Sequence, residues 1–284
     1  MSIPFQFGLV GHNIQYSLSP RIFDTIGALQ KQPIQYELFD VSPDGLPDLV
    51  DTLRSGSLNG LSVTVPYKET MVAYCDRLTV PARDLGAINS IWFGNNAIVG
   101  DNTDIVGIER SLRPHAESLA GGEAMIVGNG GAALAVAYVL TRQFGIHRLC
   151  IVGRSPGKLE SFCARVRSFA TEAEIHSLPF SSDRIESPTI PSVVINCTPL
   201  GGFNESQSVL FADDAKLSSL ALYFDLNYNQ DNKNVVIARE RGAIAINGRI
   251  MLVVQAVESY KRWTGQSPDP QTVYAAVFGV DTSF

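Results

Sequence analysis

Residues 124–133 read AMIVGNGGAA, and these ten residues indicate how the middle of the chain folds. The apolar run Ala124–Val127 is typical of a buried strand, and a helical pattern extends from Ala133 to Phe144. The pattern G-x-G-x-x-A joins them. Its first glycine permits a tight turn, its second lets the backbone approach a pyrophosphate, and its small last residue lets the helix pack on the sheet. Since a helix N-terminus offers unpaired N–H groups to phosphates, the run predicts a dinucleotide-binding loop formed by Gly128, Asn129, Gly130, Gly131 and Ala132. The alternative is a glycine-rich turn between closely packed elements.

The next predicted strand ends in Val152-Gly153-Arg154-Ser155, and Lys158 follows shortly after. NAD sites usually carry an acidic residue at this position, which binds the ribose 2′-hydroxyl, and no acidic residue lies between Val152 and Gly157. An arginine can bind a 2′-phosphate through two hydrogen bonds, and a lysine adds a further positive charge. Arg154, Ser155 and Lys158 therefore favour NADP over NAD, while Lys158 alone is equally typical of a solvated helix face.

Strand-like and helix-like runs alternate through the same region. The further strands are predicted at Arg148–Val152, Val193–Asn196 and Leu220–Leu226, with a helix at Lys158–Ala170. Such alternation predicts βαβ units and a parallel sheet. A chain of 284 residues is long enough for two domains, and we predict crossings between them near residues 104–108 and 247.

The N-terminal region alternates as well. A helix is predicted to begin at Ser19-Pro20, with Ser19 as its N-cap and Pro20 at its first helical position. Gly94-Asn95-Asn96 predicts a hairpin turn. The other predicted strands are Phe5–Val10, Tyr36–Val41, Leu58–Val65, Ile88–Phe93 and Ala97–Gly100, and the other predicted helices are Leu46–Leu53, Lys68–Cys75, Met251–Thr264 and Gln271–Val277.

Composition excludes several classes of protein. The formal net charge of -6 disfavours a nucleic-acid-binding protein, which needs a basic face to neutralise phosphates. The N-terminus has no signal-peptide pattern, and no run of about 18 apolar residues predicts a membrane helix. The cysteines form no C-x-x-C pair and have no histidine at zinc-ligand spacing, so we expect reduced thiols in a cytoplasmic protein that binds no metal; they are Cys75, Cys150, Cys163 and Cys197.

Lys68 and Asp104 are the candidate acid/base groups. Lys68 follows a predicted strand, and Asp104 ends the polar loop Gly100-Asp101-Asn102-Thr103-Asp104. Ligands of α/β proteins collect at strand ends, and a lysine beside a carboxylate can act as a general acid/base. The alternatives are a surface lysine and an aspartate that caps a turn. The histidines have no evident partners, which points away from a histidine-based mechanism; they are His12, His115, His147 and His176.

Nine motifs, in order along the chain, together resemble the shikimate dehydrogenase family. The resemblance runs nearly from end to end. Besides the Gly128 loop, the motifs are Gly11 with Ser17-Leu18-Ser19-Pro20, Val63-Thr64-Val65-Pro66-Tyr67-Lys68, Gly86-Ala87-Ile88-Asn89-Ser90, residues 100–107 (GDNTDIVG), Gly153-Arg154-Ser155, residues 195–201 (INCTPLG), Asp225-Leu226-Asn227-Tyr228-Asn229 and residues 251–256 (MLVVQA).

The resemblance implies a two-domain α/β fold. Residues 1–105 and 248–284 would form an α/β substrate domain to which the C-terminal helices return, and residues 106–247 a Rossmann-type NADP-binding domain. The implied activity is the reversible, NADP-linked reduction of 3-dehydroshikimate to shikimate, a step of aromatic biosynthesis. The protein would be a monomer or a homodimer.

The resemblance also implies roles for individual residues. Lys68 would be the acid/base, paired with Asp104, and hydride would pass directly between the nicotinamide and the substrate carbon. The substrate carboxylate would bind Ser17 and Ser19, with Tyr228 near the same end. The ring hydroxyls would bind Thr64, Asn89, Asp104 and Gln255. The implied cofactor residues are Gly128, Asn129, Gly130, Gly131, Ala132, Arg154, Ser155, Lys158, Thr198 and Met251.

The sequence departs from the usual family pattern at several positions: Asn13, Tyr16, Ser62, Gly153, Gln230 and Arg249-Ile250. Ile250 stands where a glycine commonly allows the nicotinamide ring to approach. Two alternatives to shikimate dehydrogenase therefore remain: a dehydrogenase of a related ring acid, such as quinate or aminoshikimate, and a ligand-binding relative without turnover.

Overall fold

The computed structural model of the protein describes residues 3–119, 122–179, 191, 193–203, 210, 221–230 and 232–280. The chain divides into two compact units, Met1–Gly107 with Val253–Phe284, and Ile108–Leu252. Both crossings lie inside helices, because Asp104–Leu112 and Arg249–Thr264 each continue across a boundary between the units. The predicted crossing at residues 104–108 therefore lies in the first turns of a helix rather than in a loop.

The first unit is built on a mixed sheet of six strands among the described residues. Its strands are β1 (Phe5–Gly11), β2 (Ile34–Asp40), β3 (Gly60–Val63), β4 (Arg77–Leu78), β5 (Ser90–Gly94) and β6 (Ala97–Asp101), in the order β2-β1-β3-β5-β6-β4. β1 pairs in parallel with β2 and β3, and β5 is antiparallel to β3 and β6. Its helices are α1 (Ser19–Gln30), α2 (Leu46–Arg54), α3 (Val80–Leu85) and the start of α4 (Asp104–Leu112).

Successive side chains of a strand point to opposite faces of the sheet, so β1 contributes to two apolar layers. Val10 packs in a buried cluster with residues of α2, including Leu49 and Leu53. Phe7 packs on the indole ring of Trp263, with ring centroids 4.8 Å apart. A Cβ added at Gly60 would lie 2.2 Å from that ring, so β3 needs a glycine there.

The second unit has a parallel sheet of the doubly wound type. Its described strands are β7 (Glu123–Val127), β8 (Arg148–Gly153), β9 (Glu174–Pro179), β10 (Val193–Asn196), β11 (Leu222–Asp225) and β12 (Ile244–Asn247), in the order β12-β11-β10-β7-β8-β9. This is the strand order of Rossmann folds, and the order reverses between β7 and β10. Its helices are α5 (Ala116–Leu119), α6 (Gly131–Gln143), α7 (Pro156–Phe169), α8 (Lys233–Glu240) and the start of α9 (Arg249–Thr264); the rest of α9 and α10 (Pro270–Phe278) belong to the first unit.

The α/β fold class predicted from the sequence is confirmed, and the predicted strands of both units are present. The predicted strand Leu220–Leu226 corresponds to β11, and Leu220 lies outside the described residues. The hairpin turn at Asn95 and Asn96 is also present, with positive φ at both residues (52° and 55°), as a two-residue turn of this kind requires. In the described part of the chain, no helix is both long enough and apolar enough to cross a membrane.

Two local predictions are wrong. The N-cap of α1 is Leu18, and Ser19 is the first helical residue, because the Ser17 hydroxyl already accepts the Ser19 N–H at 3.2 Å. The α-helix predicted for Lys68–Cys75 is only a short 3-10 helix, Thr70–Tyr74. Asp76 N–H bonds the Ile98 carbonyl at 2.9 Å, so the chain must leave the helix early to place β4 beside β6.

Candidate active site

A lysine–aspartate pair lies at the centre of the polar cluster in the first unit. Lys68 Nζ lies 2.5 Å from Asp104 Oδ2. The Lys68 side chain is 15% exposed and that of Asp104 5%, so the carboxylate is the more deeply buried member of the pair. Lys68 lies in the turn after β3, where its carbonyl accepts Ile88 N–H at 2.8 Å, and Asp104 is the first residue of α4. A lysine has three N–H donors, so the Asp104 bond leaves donors for a ligand.

Asn89 connects this pair to the rest of the cluster. Its Nδ2 donates to Asp104 Oδ1 at 2.8 Å and lies 3.3 Å from Gln255 Oε1. Its Oδ1 accepts the backbone N–H of Thr103 at 2.7 Å. The Thr103 hydroxyl lies 3.1 Å from the Gln255 carbonyl oxygen, which ties α9 to the loop before α4. The residues come from four separate segments of the chain and hold one another in fixed positions.

A second group of hydroxyls lies in the same unit. The Ser17 hydroxyl donates to Ser19 Oγ at 3.1 Å. The Tyr36 hydroxyl donates to Ser62 Oγ at 3.0 Å. Burial raises the pKa of the Tyr36 hydroxyl, and its hydrogen bond to Ser62 acts in the opposite direction. The four hydroxyls thus form two hydrogen-bonded pairs, Ser17 with Ser19 and Tyr36 with Ser62.

In the sequence, Thr64 lies between Ser62 of the hydroxyl group and Lys68 of the lysine–aspartate pair. Its N–H donates to the Val10 carbonyl at 2.9 Å, and its carbonyl accepts Tyr67 N–H at 2.8 Å. A Cβ added at Gly11 would lie 2.6 Å from Thr64 Cγ2, so the glycine at the end of β1 makes room for this side chain.

In the second unit, the glycine loop lies at the carboxyl end of β7. Gly128 has φ 110°, in the region that favours glycine, and its N–H bonds the Val152 carbonyl at 2.8 Å. A Cβ at Gly128 would lie 3.1 Å from Thr198 Cγ2 and 3.2 Å from the Cys197 backbone. A Cβ at Gly130, by contrast, would meet nothing within 4 Å. The loop is therefore closely packed against the Thr198 segment at Gly128 and has free space at Gly130. A bound pyrophosphate needs this combination.

The predicted phosphate-binding residues follow β8. A Cβ at Gly153 would lie 3.4 Å from Asn129 Cγ, so the end of β8 adjoins the glycine loop. Arg154, Ser155 and Lys158 are all exposed there, and Ser155 precedes the first residue of α7.

A buried carboxylate organises the loop after β10. Asp225 is fully buried, and burial raises its pKa against the opposing effect of its hydrogen bonds. Its Oδ2 accepts from Tyr223 at 2.7 Å and Asn196 at 3.0 Å, and its Oδ1 accepts from Asn227 N at 2.9 Å. Asn196 Oδ1 in turn accepts from Thr198 N at 3.0 Å, so Asp225 fixes the segment that packs on Gly128.

The remaining predicted residues also belong to the second unit. Tyr228 packs edge-on against Phe203, with centroids 5.2 Å apart, and its carbonyl oxygen accepts Arg249 Nε at 3.2 Å. Met251 is buried in the first turn of α9, beside the half-buried Ile250. Tyr228 is therefore in a different unit from the other residues predicted to bind the substrate.

Some residues of these networks received no role from the sequence. They are Tyr36, Ser62, Thr103, Asn196 and Asp225. Thr103, Asn196 and Asp225 lie inside motifs that carry the family resemblance, which is the signal that could have found them. Tyr36 lies in no such motif, and only the structure places its hydroxyl against Ser62.

Comparisons with known proteins identify the family to which the chain is similar. Residues 9–91 match the family model described as shikimate dehydrogenase substrate binding domain, and residues 251–278 match that described as Shikimate 5'-dehydrogenase C-terminal domain. A protein from Prosthecochloris aestuarii named shikimate dehydrogenase (NADP(+)) is 35% identical over 272 residues, covering 94% of this chain and 93% of the relative.

Two solved structures have the same fold. A shikimate dehydrogenase crystallised in complex with NADP+ is 26% identical, has a TM-score of 0.81, and is matched over 96% of this chain and 94% of the other. The ligand-free 5-ketofructose reductase of Gluconobacter sp. strain CHM43 is 25% identical, with a TM-score of 0.82 and coverage of 97% and 98%. On the extent and identity of these matches, the chain belongs to the shikimate dehydrogenase family.

Proposed function

We propose that the chain is an NADP-dependent shikimate dehydrogenase, which reduces 3-dehydroshikimate to shikimate reversibly. The observation that carries the proposal is the Lys68–Asp104 pair, at 2.5 Å, within the Asn89–Gln255 cluster. A ligand-binding protein without turnover has no need of a lysine held by a buried carboxylate. Relatives with this name match over more than nine tenths of the chain, which supports the same activity.

In the reducing direction, Lys68 donates a proton from Nζ to the carbonyl oxygen of the substrate as hydride reaches the carbon, which gives the alcohol. In the oxidising direction it accepts the hydroxyl proton. Asp104 accepts a hydrogen bond from Nζ at 2.5 Å and so orients the ammonium group. A fixed positive charge beside the reacting oxygen stabilises the negative charge that develops there.

The other polar residues of the first unit bind the ring acid. Ser17 and Ser19 donate to its carboxylate, and Thr64, Asn89 and Gln255 bind its hydroxyls, together with Asp104. Since Asn89 and Asp104 are buried and already bonded to each other, they need little rearrangement to accept a ligand. Tyr228, in the second unit, is assigned to the carboxylate end.

The second unit binds the dinucleotide. The fit rests on the loop geometry, which is closed behind Gly128 and open at Gly130, and on the exposed cations that follow β8. NADPH, when bound, supplies the hydride. The residues assigned to it are Gly128, Asn129, Gly130, Gly131, Ala132, Arg154, Ser155, Lys158, Thr198 and Met251.

A steady-state assay of shikimate oxidation, run in parallel with NADP and NAD, tests the proposal. We expect turnover with a higher kcat/KM for NADP, because Arg154 and Lys158 favour the 2′-phosphate. The same assay with quinate tests the second candidate, a dehydrogenase of a related ring acid, which the departure at Ser62 beside the substrate residues favours. Binding of shikimate and quinate without turnover of either would refute both.

The proposal includes a cytoplasmic location and a monomeric or homodimeric state. The four cysteines are free thiols in the structure, which supports a reducing compartment. Light scattering coupled to size-exclusion chromatography tests the oligomeric state, and a larger assembly would contradict it.

A further inference from the structure

A second buried carboxylate, Asp101, lies three residues before Asp104 in the same loop. The side chains of both aspartates are 5% exposed, and each is paired with a cation from another part of the chain. Lys68 pairs with Asp104, whereas Arg262 of α9 donates from Nε to Asp101 Oδ2 at 2.9 Å. Burial of a carboxylate is unfavourable unless it is paired and hydrogen-bonded, so the bonds that Asp101 accepts determine where it lies.

The bonds of Asp101 reach both segments that present the central active-site side chains. Its Oδ1 accepts the N–H of Asn102 at 2.8 Å and the hydroxyl of Thr79 at 2.5 Å. Its carbonyl oxygen accepts the N–H of Asn89 at 3.0 Å. Asp101 therefore fixes the backbone at Asn89 and the start of the segment that leads to Asp104.

Arg262 lies on the face of α9 that runs along this loop. Gln255, Ser259 and Arg262 follow one another at intervals of four and three residues, so they share one face of the helix. The Thr103 hydroxyl lies 3.1 Å from the Gln255 carbonyl oxygen and 3.0 Å from Ser259 Oγ. Arg262 adds its bond to Asp101 one turn further along. These three bonds hold α9 against the loop.

We propose that Arg262 and Asp101 are positioning residues for proton transfer, which hold the loop so that Asp104 meets Lys68 at hydrogen-bonding distance. They act through the backbone of the loop and need no contact with the substrate. A displacement of about 1 Å at a reacting group can lower a rate by about 10²-fold, so even a small shift of Asp104 reduces kcat. This inference rests on the proposed function.

Kinetics of Arg262→Met test the proposal, because methionine keeps an apolar stem and removes the charge and the donor. We expect kcat for shikimate oxidation to fall about tenfold, with an unchanged KM for NADP, which is assigned to the second unit. Arg262→Lys keeps the charge and a donor for Asp101, so it should recover most of the wild-type kcat. Asp101→Asn places an NH₂ group against one of the donors that Asp101 accepts, and it should lower kcat as Arg262→Met does. It supplies the same test if thermal unfolding shows that Arg262→Met does not fold.

The Lys68→Ala background separates positioning from general loss of structure. Without Lys68, the position of Asp104 no longer contributes to proton transfer, so Arg262→Met should change the residual kcat there by less than about twofold. A purely structural role would lower kcat by the same factor in both backgrounds. Glu258→Gln is the matched control, because Glu258 also pairs with Arg262, at 3.1 Å, and its loss leaves the bond between Arg262 and Asp101 in place. The control should keep the wild-type kcat.

The inference is overturned if Arg262→Met keeps the wild-type kcat, lowers kcat equally in the Lys68→Ala background, or is no more impaired than Glu258→Gln. An Arg262→Lys variant with a kcat as low as that of Arg262→Met would also overturn it, because a charge and a donor at Asp101 would then not be sufficient. Wild-type protein that turns over no ring acid would refute the proposed function, and this inference with it. Wild-type turnover with an unaffected Arg262→Met variant refutes the inference alone.

Discussion

Replacing Lys68 by alanine should abolish proton transfer while leaving most substrate contacts in place. Positioned general acids and bases contribute about 10²–10⁴-fold, so kcat should fall by that factor. The KM for shikimate should change less than about tenfold, because the hydroxyl-binding residues, Asn89 among them, keep their positions through bonds that do not involve Lys68. The loss should therefore appear mainly in kcat.

The structure also bounds the effect of Lys68→Ala on stability. Breaking a fully buried ion pair costs about 3–5 kcal/mol, because it leaves an uncompensated charge. The cost here should be below that range, since Lys68 is 15% exposed and Asp104 keeps its hydrogen bond from Asn89 at 2.8 Å. The variant should thus fold, which makes its kinetics interpretable.

Steady-state shikimate oxidation with saturating NADP measures the effect of Lys68→Ala, alongside a thermal unfolding curve. Lys261→Ala is the matched control, because Lys261 is a lysine of the same unit that pairs with Glu258 at 3.5 Å and has a side chain that is 47% exposed. We expect the control to keep wild-type kcat. A Lys68→Ala variant with the wild-type fold and more than about a tenth of the wild-type kcat would refute the acid/base role.

Three further predictions concern the second unit and the thiols. Gly130→Ala should keep the unfolding temperature and raise the KM for NADP, because its Cβ enters open space. Gly128→Ala should lower both stability and NADP binding, because its Cβ would lie 3.1 Å from the Thr198 side chain. Equal unfolding temperatures of the two variants would contradict this prediction. Arg154→Ala should raise the KM for NADP about ten- to a hundredfold and leave the KM for NAD nearly unchanged. An equal rise in the KM for both cofactors would exclude a contact between Arg154 and the 2′-phosphate. Burial raises the pKa of Cys75 to about 12, so its thiolate fraction at pH 8 should be about 10⁻⁴ and should grow only as the pH rises toward that pKa. Native protein should therefore resist iodoacetamide at pH 8, as mass spectrometry would detect, and rapid alkylation of Cys75 would contradict its burial.

The dinucleotide loop could be predicted from the sequence because its geometry is local. Strand β7, the glycine turn and helix α6 follow one another within a few residues, and each glycine has a steric reason that a sequence pattern expresses. The absence of an acidic residue after β8 could likewise be read from a few consecutive residues of the sequence. The hairpin at Asn95 and Asn96 is a third case, because two residues with positive φ specify the turn.

Sequence patterns predicted two helix boundaries wrongly, because hydrogen bonds outside the helix determine where each helix begins or ends. Lys68–Cys75 has helical spacing, but the bond from Asp76 to Ile98 ends the helix after a single 3-10 segment. Ser19 has the right residue type for an N-cap, but the Ser17 hydroxyl takes that bond and moves the helix start by one residue.

Sequence spacing alone could not show that the side chains of the candidate active site lie close together. Lys68, Asn89, Asp104 and Gln255 lie up to 187 residues apart along the chain, and the register of β3, β5 and β6 together with α9 brings them within hydrogen-bonding distance. Residue types alone are also compatible with an exposed Lys68 that has no catalytic role. The family resemblance supplied the pairing in advance, but the distance and burial that give it chemical meaning are properties of the folded chain.

The sequence therefore specified the α/β class, the glycine loop and the basic residues after β8, because each depends on neighbours within a few residues. Folding alone created the buried Lys68–Asp104 pair and the hydroxyl pair of Tyr36 and Ser62. The physical reason is that periodicity reports which face of an element is apolar, whereas hydrogen bonds between distant segments depend on strand register and side-chain direction.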